Sequence, residues 1–344
     1  MKLNQKIIYR EIVQWLMALF IAIIIVSTLC FVYYRPTGWV LREHNATSAI
    51  WEPNTYIIKG FEGFGITIID NNGYPNPQIG ITQENLILCM GSSYTQGKEV
   101  MQNKTYVSLL NSMLTNGRNN CLEVYNLSKD AFFYPEIVSG VNAAIEEFPQ
   151  TSTLIIEVGN IDFSYEILKE SLIQRSFVEN ECGTKLYEQL SLKRKLINII
   201  KDYFPIYSVL SNQIKLLKNE DSYLTSTEVE YESELYIKLL EESIHQICDA
   251  FDGKIIILYH PITNLYPDGS MRLEYSNNYR IFAELCVNNG ISIIDLGNDF
   301  LKEYSKDYYV PYGFNNTTIG QGHFNEYGHK IIAKRLYSVL TMGE

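Results

Sequence analysis

The order of apolar and polar residues predicts a chain in which short buried strands alternate with amphipathic helices. Largely apolar runs of about four to six residues are typical of buried strands, and they occupy residues 86–90, 122–127, 154–158, 254–259 and 291–294. Between them, apolar residues recur at three- and four-residue spacing, which predicts helices over residues 107–114, 135–148, 233–251 and 279–288. This alternation predicts an α/β fold of three layers, α/β/α, with a mostly parallel sheet.

Two segments lie outside this alternation. Residues 35–80 are rich in Gly, Pro and Asn and contain short extended stretches, which predicts a stalk or lead-in before a domain over residues 81–344. Residues 163–227 form a helical insertion with helical patches at 191–203 and 205–217. Because the insertion follows the carboxyl end of a strand, it either caps a site there or packs on the scaffold or near a membrane.

An apolar run near the N-terminus predicts a membrane anchor. Residues 15–34 carry no charge, and about 20 such residues cross a hydrocarbon core of roughly 30 Å as a helix. A cleaved signal peptide is the alternative, but the run exceeds a usual signal core and lacks a small-residue cleavage site. We expect a single-pass anchor over residues 13–34, with residues 1–12 in the cytoplasm and the large domain outside it. The bias of basic residues that supports this orientation is modest: Lys2, Lys6 and Arg10 precede the run, and Arg35 and Arg42 follow it.

The net charge and the cysteine spacing argue against several classes of partner and cofactor. The net charge of -11 argues against nucleic acid as a partner and against docking on anionic lipid by charge alone. Cysteines outside the anchor have no regular spacing and predict neither a disulfide framework nor a zinc site (Cys89, Cys121, Cys182, Cys248 and Cys286). Cys89 and Cys121 fall in predicted strands and are expected to be buried free thiols. With no ligand cluster and no phosphate-binding or dinucleotide glycine loop, no metal or organic cofactor is expected.

The candidate chemistry lies where the run at 86–90 enters Gly91-Ser92-Ser93. A serine just past the carboxyl end of a strand is in the usual position for chemistry in open α/β sheets. Because a serine hydroxyl is a weak nucleophile, Ser93 needs a base, and His323 near the C-terminus is the candidate. Without such a base, Ser93 would be a turn or helix-capping residue.

The other histidines have weaker claims to chemistry. His329, six residues after His323, is expected to pack and cap a turn. His260 follows the strand at 254–259 and is either a loop residue or a residue lining the same cleft. His44 and His245 have no chemical context.

These segments resemble the SGNH (GDSL-type) hydrolase superfamily over roughly residues 85–340. Gly91-Ser92-Ser93 fits the first block, with Ser93 as nucleophile and Ser92 in place of Asp. Asn126-Leu127-Ser128-Lys129-Asp130-Ala131 resembles the second, with Ala131 in place of Gly. Glu157-Val158-Gly159-Asn160-Ile161-Asp162 resembles the third, with Asn160 one place early. The resemblance implies an oxyanion hole made of the Ser93 and Ala131 amides and the Asn160 side chain.

The last block of the family normally has Asp three residues before the histidine, but Gly320 stands there in this chain. The histidine then works in a Ser–His dyad, is oriented by a backbone carbonyl, or takes a carboxylate from Asp295 or Asp299 after the last predicted strand. Degeneration to a protein without catalysis is the fourth reading.

The resemblance implies a serine esterase, and the predicted anchor places it outside the cytoplasm. We expect it to remove O-acyl groups, above all O-acetyl, from a cell-envelope or capsular glycan through an acyl-Ser93 intermediate. One alternative is an O-acyltransferase that passes the acyl group to a sugar hydroxyl beside a membrane acyl-donor protein. Another is an inactive envelope protein that binds glycan. The substrate would be an acylated glycan or another ester.

Overall fold

The computed structural model describes residues 2–35, 37, 39–41, 47, 49–77, 85–116, 122–173, 206, 209–210, 214 and 234–342. Most of the expected insertion at 163–227, including nearly all of its two helical patches, lies outside the described residues. Arg42, His44, Cys121 and Cys182 lie outside them as well.

The described strands and helices follow the predicted alternation. The strands are β1 (Trp39–Leu41), β2 (Ala49–Trp51), β3 (Tyr56–Lys59), β4 (Gly65–Ile68), β5 (Asn85–Gly91), β6 (Leu122–Ser128), β7 (Thr151–Val158), β8 (Lys254–Tyr259), β9 (Ile262–Leu265), β10 (Met271–Glu274) and β11 (Ser292–Asp295). The helices are α1 (Lys2–Tyr33), α2 (Ser93–Gln96), α3 (Tyr106–Thr115), α4 (Tyr134–Glu147), α5 (Tyr165–Ser171), α6 (Glu234–Ala250), α7 (Tyr279–Asn288), α8 (Gly297–Asp307) and α9 (Glu326–Met342), and a 3₁₀ turn spans Gln102–Lys104.

A parallel sheet in the order β11-β8-β7-β5-β6 forms the centre of the domain. The first strand of this sheet in the chain, β5, lies between the second and the third. In such an order, the chain leaves the adjacent strands β5 and β7 toward opposite faces of the sheet, and a crevice opens at the carboxyl ends of these two strands. The predicted α/β class with a mostly parallel sheet is confirmed, and Ser93 follows the strand at this crevice.

Apolar side chains on both faces of the sheet form the two layers of the core. Successive residues of a strand point to opposite faces, so Leu88 and Met90 pack in the layer that contains α4 and α6, whereas Ile87 and Cys89 pack against α3 and α9. Cys89 is a buried free thiol, as predicted. Burial on both faces holds the end of β5, and with it the Ser93 turn, in a fixed position.

Helix α1 begins at Lys2, so the residues expected to precede the membrane span are part of the same helix. Its residues Ile8–Tyr33 are long and apolar enough to cross a membrane, a test that a signal sequence near the N-terminus would also pass.

The lead-in packs on the domain instead of forming a separate stalk. Strands β3 and β4 make an antiparallel hairpin, and the backbone of Arg35 pairs with Ile58 at its edge. A Cβ at Gly65 would lie 2.2 Å from the Lys98 carbonyl oxygen, so the hairpin approaches the segment after Ser93 as closely as glycine permits. The lead-in is therefore part of the surface around the candidate site.

Candidate active site

Ser93 lies in a sharp turn between β5 and the short helix α2. Ser92 caps this helix through its Oγ, which accepts a hydrogen bond from the Tyr94 N–H at 3.3 Å. A Cβ at Gly91 would lie 2.7 Å from Glu157 Oε2, so the strand must end in glycine for the turn to form. The turn places Ser93, which is half-buried, at the first position of the helix.

Ser93, His323 and Glu62 form a continuous hydrogen-bonded line. Ser93 Oγ lies 2.8 Å from His323 Nε2, and Glu62 Oε2 lies 2.7 Å from His323 Nδ1. Glu62 Oε1 also accepts the backbone N–H of His323 at 2.6 Å. A carboxylate at Nδ1 fixes the proton on that nitrogen, which leaves Nε2 free to accept the proton of Ser93. The arrangement can activate a serine for acyl transfer.

The expectation that Asp295 or Asp299 orients the histidine is wrong. Asp295 accepts hydrogen bonds from the hydroxyls of Tyr275 and Tyr279 at 3.0 and 2.9 Å, and Asp299 faces Arg335 at 3.7 Å. The carboxylate on the imidazole is that of Glu62, so a simple dyad and a backbone-carbonyl arrangement are also replaced. Glu62 comes from the loop between β3 and β4, far upstream of the expected position.

The loop that carries Glu62 is fixed by the loop that carries His323. Asn316 Nδ2 donates to the carbonyls of Gly60 and Gly63 at 3.0 Å each, and its Oδ1 accepts the Gly63 N–H at 2.8 Å. At Gly322, where φ is +84°, a Cβ would lie 2.2 Å from Glu62 Oε1. Glycine before His323 therefore makes room for the carboxylate. The sequence signal for Glu62 is a carboxylate inside a glycine-rich turn, Gly60-Phe61-Glu62-Gly63-Phe64-Gly65.

Ala131 adopts a left-handed backbone conformation. Its φ is +57°, in the left-handed region that alanine occupies only at a cost and glycine occupies freely. Among the described residues, no hydrogen-bond acceptor takes the N–H of Ser93 or of Ala131. The two amides therefore stay predicted oxyanion donors, and the alanine preserves the glycine-like turn.

Asn160 lies in a local turn after β7. Its Oδ1 accepts the Asp162 N–H at 3.0 Å and the Ser276 hydroxyl at 3.0 Å, and its Nδ2 donates to the Asp162 carbonyl at 3.3 Å. These contacts are those of an Asx turn. The role of Asn160 in an oxyanion hole remains a prediction, and a substrate would have to compete with Asp162 for its N–H.

A buried acid–histidine pair supports the serine turn from below. Glu157 Oε2 accepts the N–H and hydroxyl of Ser92 at 2.7 and 2.8 Å, and its Oε1 lies 2.8 Å from His260 Nε2. The Tyr312 hydroxyl donates to the Pro261 carbonyl, so its oxygen accepts from His260 Nδ1 at 2.9 Å. Burial raises the pKa of Glu157, but the hydrogen bonds and charge of His260 outweigh it and the pKa is lowered. The Glu157 carboxylate thus binds the His260 imidazole beneath the serine turn, and His260 is a buried residue of the loop between β8 and β9, in agreement with the expectation of a loop residue.

The remaining described histidines have no contact with Ser93. His329 is fully buried, and its Nδ1 accepts the Tyr106 N–H at 3.2 Å, a packing role that agrees with the sequence prediction. Burial lowers the pKa of His329 to about 3, so it is neutral near pH 7. His245 lies exposed on α6.

His323 sits in a group of charged side chains. Burial lowers its pKa, but the charge of Glu99 and the hydrogen bond and charge of Glu62 outweigh burial, so the pKa is raised. Ligand atoms of Glu62, Glu99 and His323 lie within 4.8 Å of one another, so among the described residues this group could hold a metal ion. Lys59 Nζ already contacts Glu99 and places a positive charge there.

Solved structures with a similar fold include a lipolytic protein and esterases. A GDSL-type lipolytic protein from Veillonella parvula is 14% identical, covers 75% of this chain and 97% of its own, and has a TM-score of 0.38. An acetyl xylan esterase is 14% identical over 74% of this chain and 99% of its own, with a TM-score of 0.43. A two-domain esterase active on acetylated mannans is 11% identical over 75% of this chain, with a TM-score of 0.42, and the match spans half of its length.

No family model matches the chain, and no curated protein does. The chain resembles SGNH- and GDSL-type esterases in structure, as the sequence motifs imply. With TM-scores below 0.5, the likeness carries no argument about activity, and the chemistry has to be argued from the site.

Proposed function

We propose that the protein is a serine esterase of the SGNH type that forms an acyl-enzyme on Ser93. The observation that carries the proposal is the line from Ser93 Oγ through the His323 imidazole to the Glu62 carboxylate, with contacts of 2.8 and 2.7 Å. These are the distances that nucleophile, base and orienting acid need for proton transfer.

The reaction divides into two acyl transfers. Ser93 Oγ attacks the ester carbonyl while His323 Nε2 takes the serine proton, and the Ser93 and Ala131 amides stabilise the oxyanion. The bond to the alcohol oxygen breaks, and that oxygen takes the proton from His323. Water then gives a proton to His323 Nε2 as it attacks the acyl carbonyl. The bond to Ser93 Oγ breaks, Oγ takes the proton back from Nε2, and the free acid leaves. Glu62 holds the imidazolium in each transfer.

The proposed substrate is an O-acylated, above all O-acetylated, glycan outside the cytoplasm. Helix α1 supports a membrane location, since its apolar length suits a membrane span. Exposed tyrosines support a glycan: the rings of Tyr309 and Tyr327 stack 4.1 Å apart on the segments that flank His323. Such amphipathic rings offer an apolar face and a polar edge to a ligand.

One observation favours the O-acyltransferase as a second candidate. The end of α1 contacts the loop that carries Glu62, with Phe61 lying 5.8 Å from the Tyr33 ring and 4.5 Å from the Tyr34 ring. A site next to a membrane helix could take its acyl group from a membrane donor protein and pass it to a sugar hydroxyl instead of water.

The test uses the full chain in detergent with p-nitrophenyl acetate and an acetylated glycan. We expect Ser93→Ala to lower kcat by roughly 10³-fold or more and to abolish labelling by a fluorophosphonate. Ser305→Ala, an exposed serine on α8, is the matched control and should keep both. Turnover unchanged in Ser93→Ala would eliminate both enzymatic functions.

Product analysis separates the candidates. Release of acetate to water supports the esterase, whereas little release with efficient transfer to an added oligosaccharide supports the transferase. Glycan binding without labelling of Ser93 would identify a binding protein. Protease added to intact cells should cut the large domain, and complete protection would contradict an extracytoplasmic location.

A further inference from the structure

A second carboxylate lies beside the same imidazole nitrogen that Glu62 contacts. Glu99 Oε1 is 3.8 Å from His323 Nδ1, compared with 2.7 Å for Glu62 Oε2. The Glu99 side chain is fully buried, and its Oε1 forms an ion pair with Lys59 Nζ. One imidazole therefore faces two carboxylates and one ammonium group.

The burial of the Glu99 carboxylate is energetically unfavourable, which packing alone does not explain. Among the described residues, its Oε2 is buried without a hydrogen-bond partner, which costs stability. Burial raises the pKa of Glu99, but the charges of Lys59 and His323 outweigh burial and lower the pKa to about 2. Glu99 is thus an ionised, incompletely satisfied carboxylate aimed at the base of the candidate site.

Backbone packing brings the two charged segments together. At Gly63, where φ is +63°, a Cβ would lie 2.2 Å from the Glu99 carbonyl oxygen. This close approach places Lys59 and Glu62, which belong to the hairpin, against Glu99, which follows α2. The cluster is therefore a built feature of the interface between the lead-in and the domain.

We propose that Glu99 is a positioning residue for His323, and that Lys59 is the internal cation that lets two carboxylates face one imidazole. The proposal rests on the proposed function of His323 as the base. With neutral His323, two carboxylates and one ammonium give a net charge of -1, and protonation of His323 brings the cluster to zero. The cluster thus stabilises the imidazolium that forms when Ser93 loses its proton.

The other titratable groups near the cluster are either paired with a partner of opposite charge or neutral. Lys98, next to Glu99, is paired with Asp130, and His329 from α9 is neutral because burial lowers its pKa to about 3. Tyr94 from α2 lies beside His323 with ring centroids 5.2 Å apart and the rings tilted by 41°, and it adds no charge near pH 7. The charges that act on His323 are then those of Glu62, Glu99 and Lys59.

The test measures the pKa of His323 directly in the full chain in detergent, by NMR titration of histidine-labelled protein. His323→Gln identifies the His323 signal. We expect Glu99→Gln to lower the pKa of His323 by about one unit, because a carboxylate within about 4–6 Å is removed. The acid limb of the kcat/KM profile should move to lower pH by the same amount.

The sign of a second shift separates electrostatics from packing. Lys59→Gln added to Glu99→Gln removes a positive charge, so the pKa of His323 should rise again by about half of the first shift. Lys59→Arg alone, which keeps the charge, should leave the pKa near that of the native chain. A purely structural role would lower stability in each variant without these opposite shifts.

Two results of the titration would contradict the role of Glu99, and one result of chelation would assign the cluster a different role. An unchanged His323 pKa in Glu99→Gln, or a further fall in the double variant, would overturn the proposal. Loss of activity on chelation with recovery on adding Zn²⁺ would replace it by a metal site on Glu62, Glu99 and His323. Because the NMR titration needs no turnover, the shifts can be seen even if no ester is hydrolysed, so failure of the proposed function is distinguishable.

Discussion

At the scale of single residues, the site depends on carboxylates whose roles differ with their surroundings. Glu62 hydrogen-bonds to His323 at the edge of solvent, with 18% of its side chain exposed, whereas Glu157 is buried beneath the serine turn. The first carboxylate can act on a proton that moves, and the second can fix a backbone turn. Substitutions at these residues should therefore affect different measurements.

Glu62→Gln is expected to lower kcat by roughly 10²- to 10⁴-fold, as loss of the orienting charge does in a serine triad. The amide oxygen can still accept the His323 N–H, but the amide no longer stabilises the imidazolium or fixes the proton on Nδ1. Hydrolysis of p-nitrophenyl acetate measures the effect, with the exposed Glu52→Gln as control. Full activity in Glu62→Gln would show that Ser93 and His323 suffice as a dyad.

Ala131→Gly is expected to raise Tm slightly while activity is kept, because the amide and not the side chain is the predicted donor. A left-handed residue other than glycine costs about 1–2 kcal/mol, which the entropy of glycine in the unfolded chain partly offsets. Thermal unfolding in detergent provides the measurement. Ala283→Gly, inside α7, is the control and should lower Tm. A lower Tm for Ala131→Gly would contradict the left-handed conformation at this position.

At the scale of elements, the site joins the end of β5, the β3–β4 hairpin and the loop before α9. Asn316 connects the last two through three hydrogen bonds of 2.8 to 3.0 Å. Strands β3 and β4 form a two-stranded sheet that is not part of the central sheet. We therefore expect the hydrogen bonds of Asn316 to determine how well Glu62 is aligned with His323.

Asn316→Ala is expected to lower kcat by roughly 10- to 100-fold, because small misplacements of a catalytic group are costly. The variant should still fold. Fluorophosphonate should still label Ser93, but at a slower rate. The exposed neighbour Asn315→Ala is the matched control and should behave like the native chain. Equal kcat values for the two variants would show that the loop is held by other contacts.

Glu157→Gln is expected to lower the free energy of unfolding by about 3 kcal/mol or more, since it breaks a buried pair with His260. The folded pKa of Glu157 is lowered, so its contribution is present above the unfolded pKa of about 4.3 and is lost as pH falls through the folded pKa. Urea unfolding at pH 7 and below pH 4.3 should show a weaker acid dependence in the variant. Glu242→Gln, on the exposed face of α6, should not alter that dependence.

Local patterns allowed the strands, helices and the Ser93 and His323 candidates to be predicted, because each depends on residues close in sequence. Glu62 could not be found in this way, since its contact with His323 arises from packing of a hairpin on the domain. Its position after the last strand favours Asp295 as the orienting carboxylate, but two tyrosine hydroxyls and the Gly297 N–H donate to that carboxylate. Contacts between residues far apart in the sequence cannot be predicted from the local pattern of apolar residues.

At the scale of the whole molecule, the candidate site is connected to the apolar helix that begins the chain. The rings of Tyr33 and Tyr34 at the end of α1 contact Phe61, the neighbour of Glu62. A Cβ at Gly60 would lie 2.7 Å from the Tyr33 carbonyl oxygen, so the backbones are also in close approach. The orientation of the site relative to α1 is therefore constrained by contacts and not by a flexible tether.

A full chain with both Tyr33→Ala and Tyr34→Ala is expected to have a lower kcat on p-nitrophenyl acetate, by roughly 3- to 10-fold, with a lower Tm. Each aromatic pair contributes about 0.5–1.5 kcal/mol beyond its burial, and its loss should loosen Phe61 and the Glu62 carboxylate. Tyr9→Ala, which removes an exposed ring on the same helix, is the matched control. Because p-nitrophenyl acetate is soluble and needs no membrane partner, a fall in kcat confined to the double variant would assign the effect to the contact itself. Equal kcat and Tm in the double variant and the control would mean that α1 anchors the domain without positioning its site.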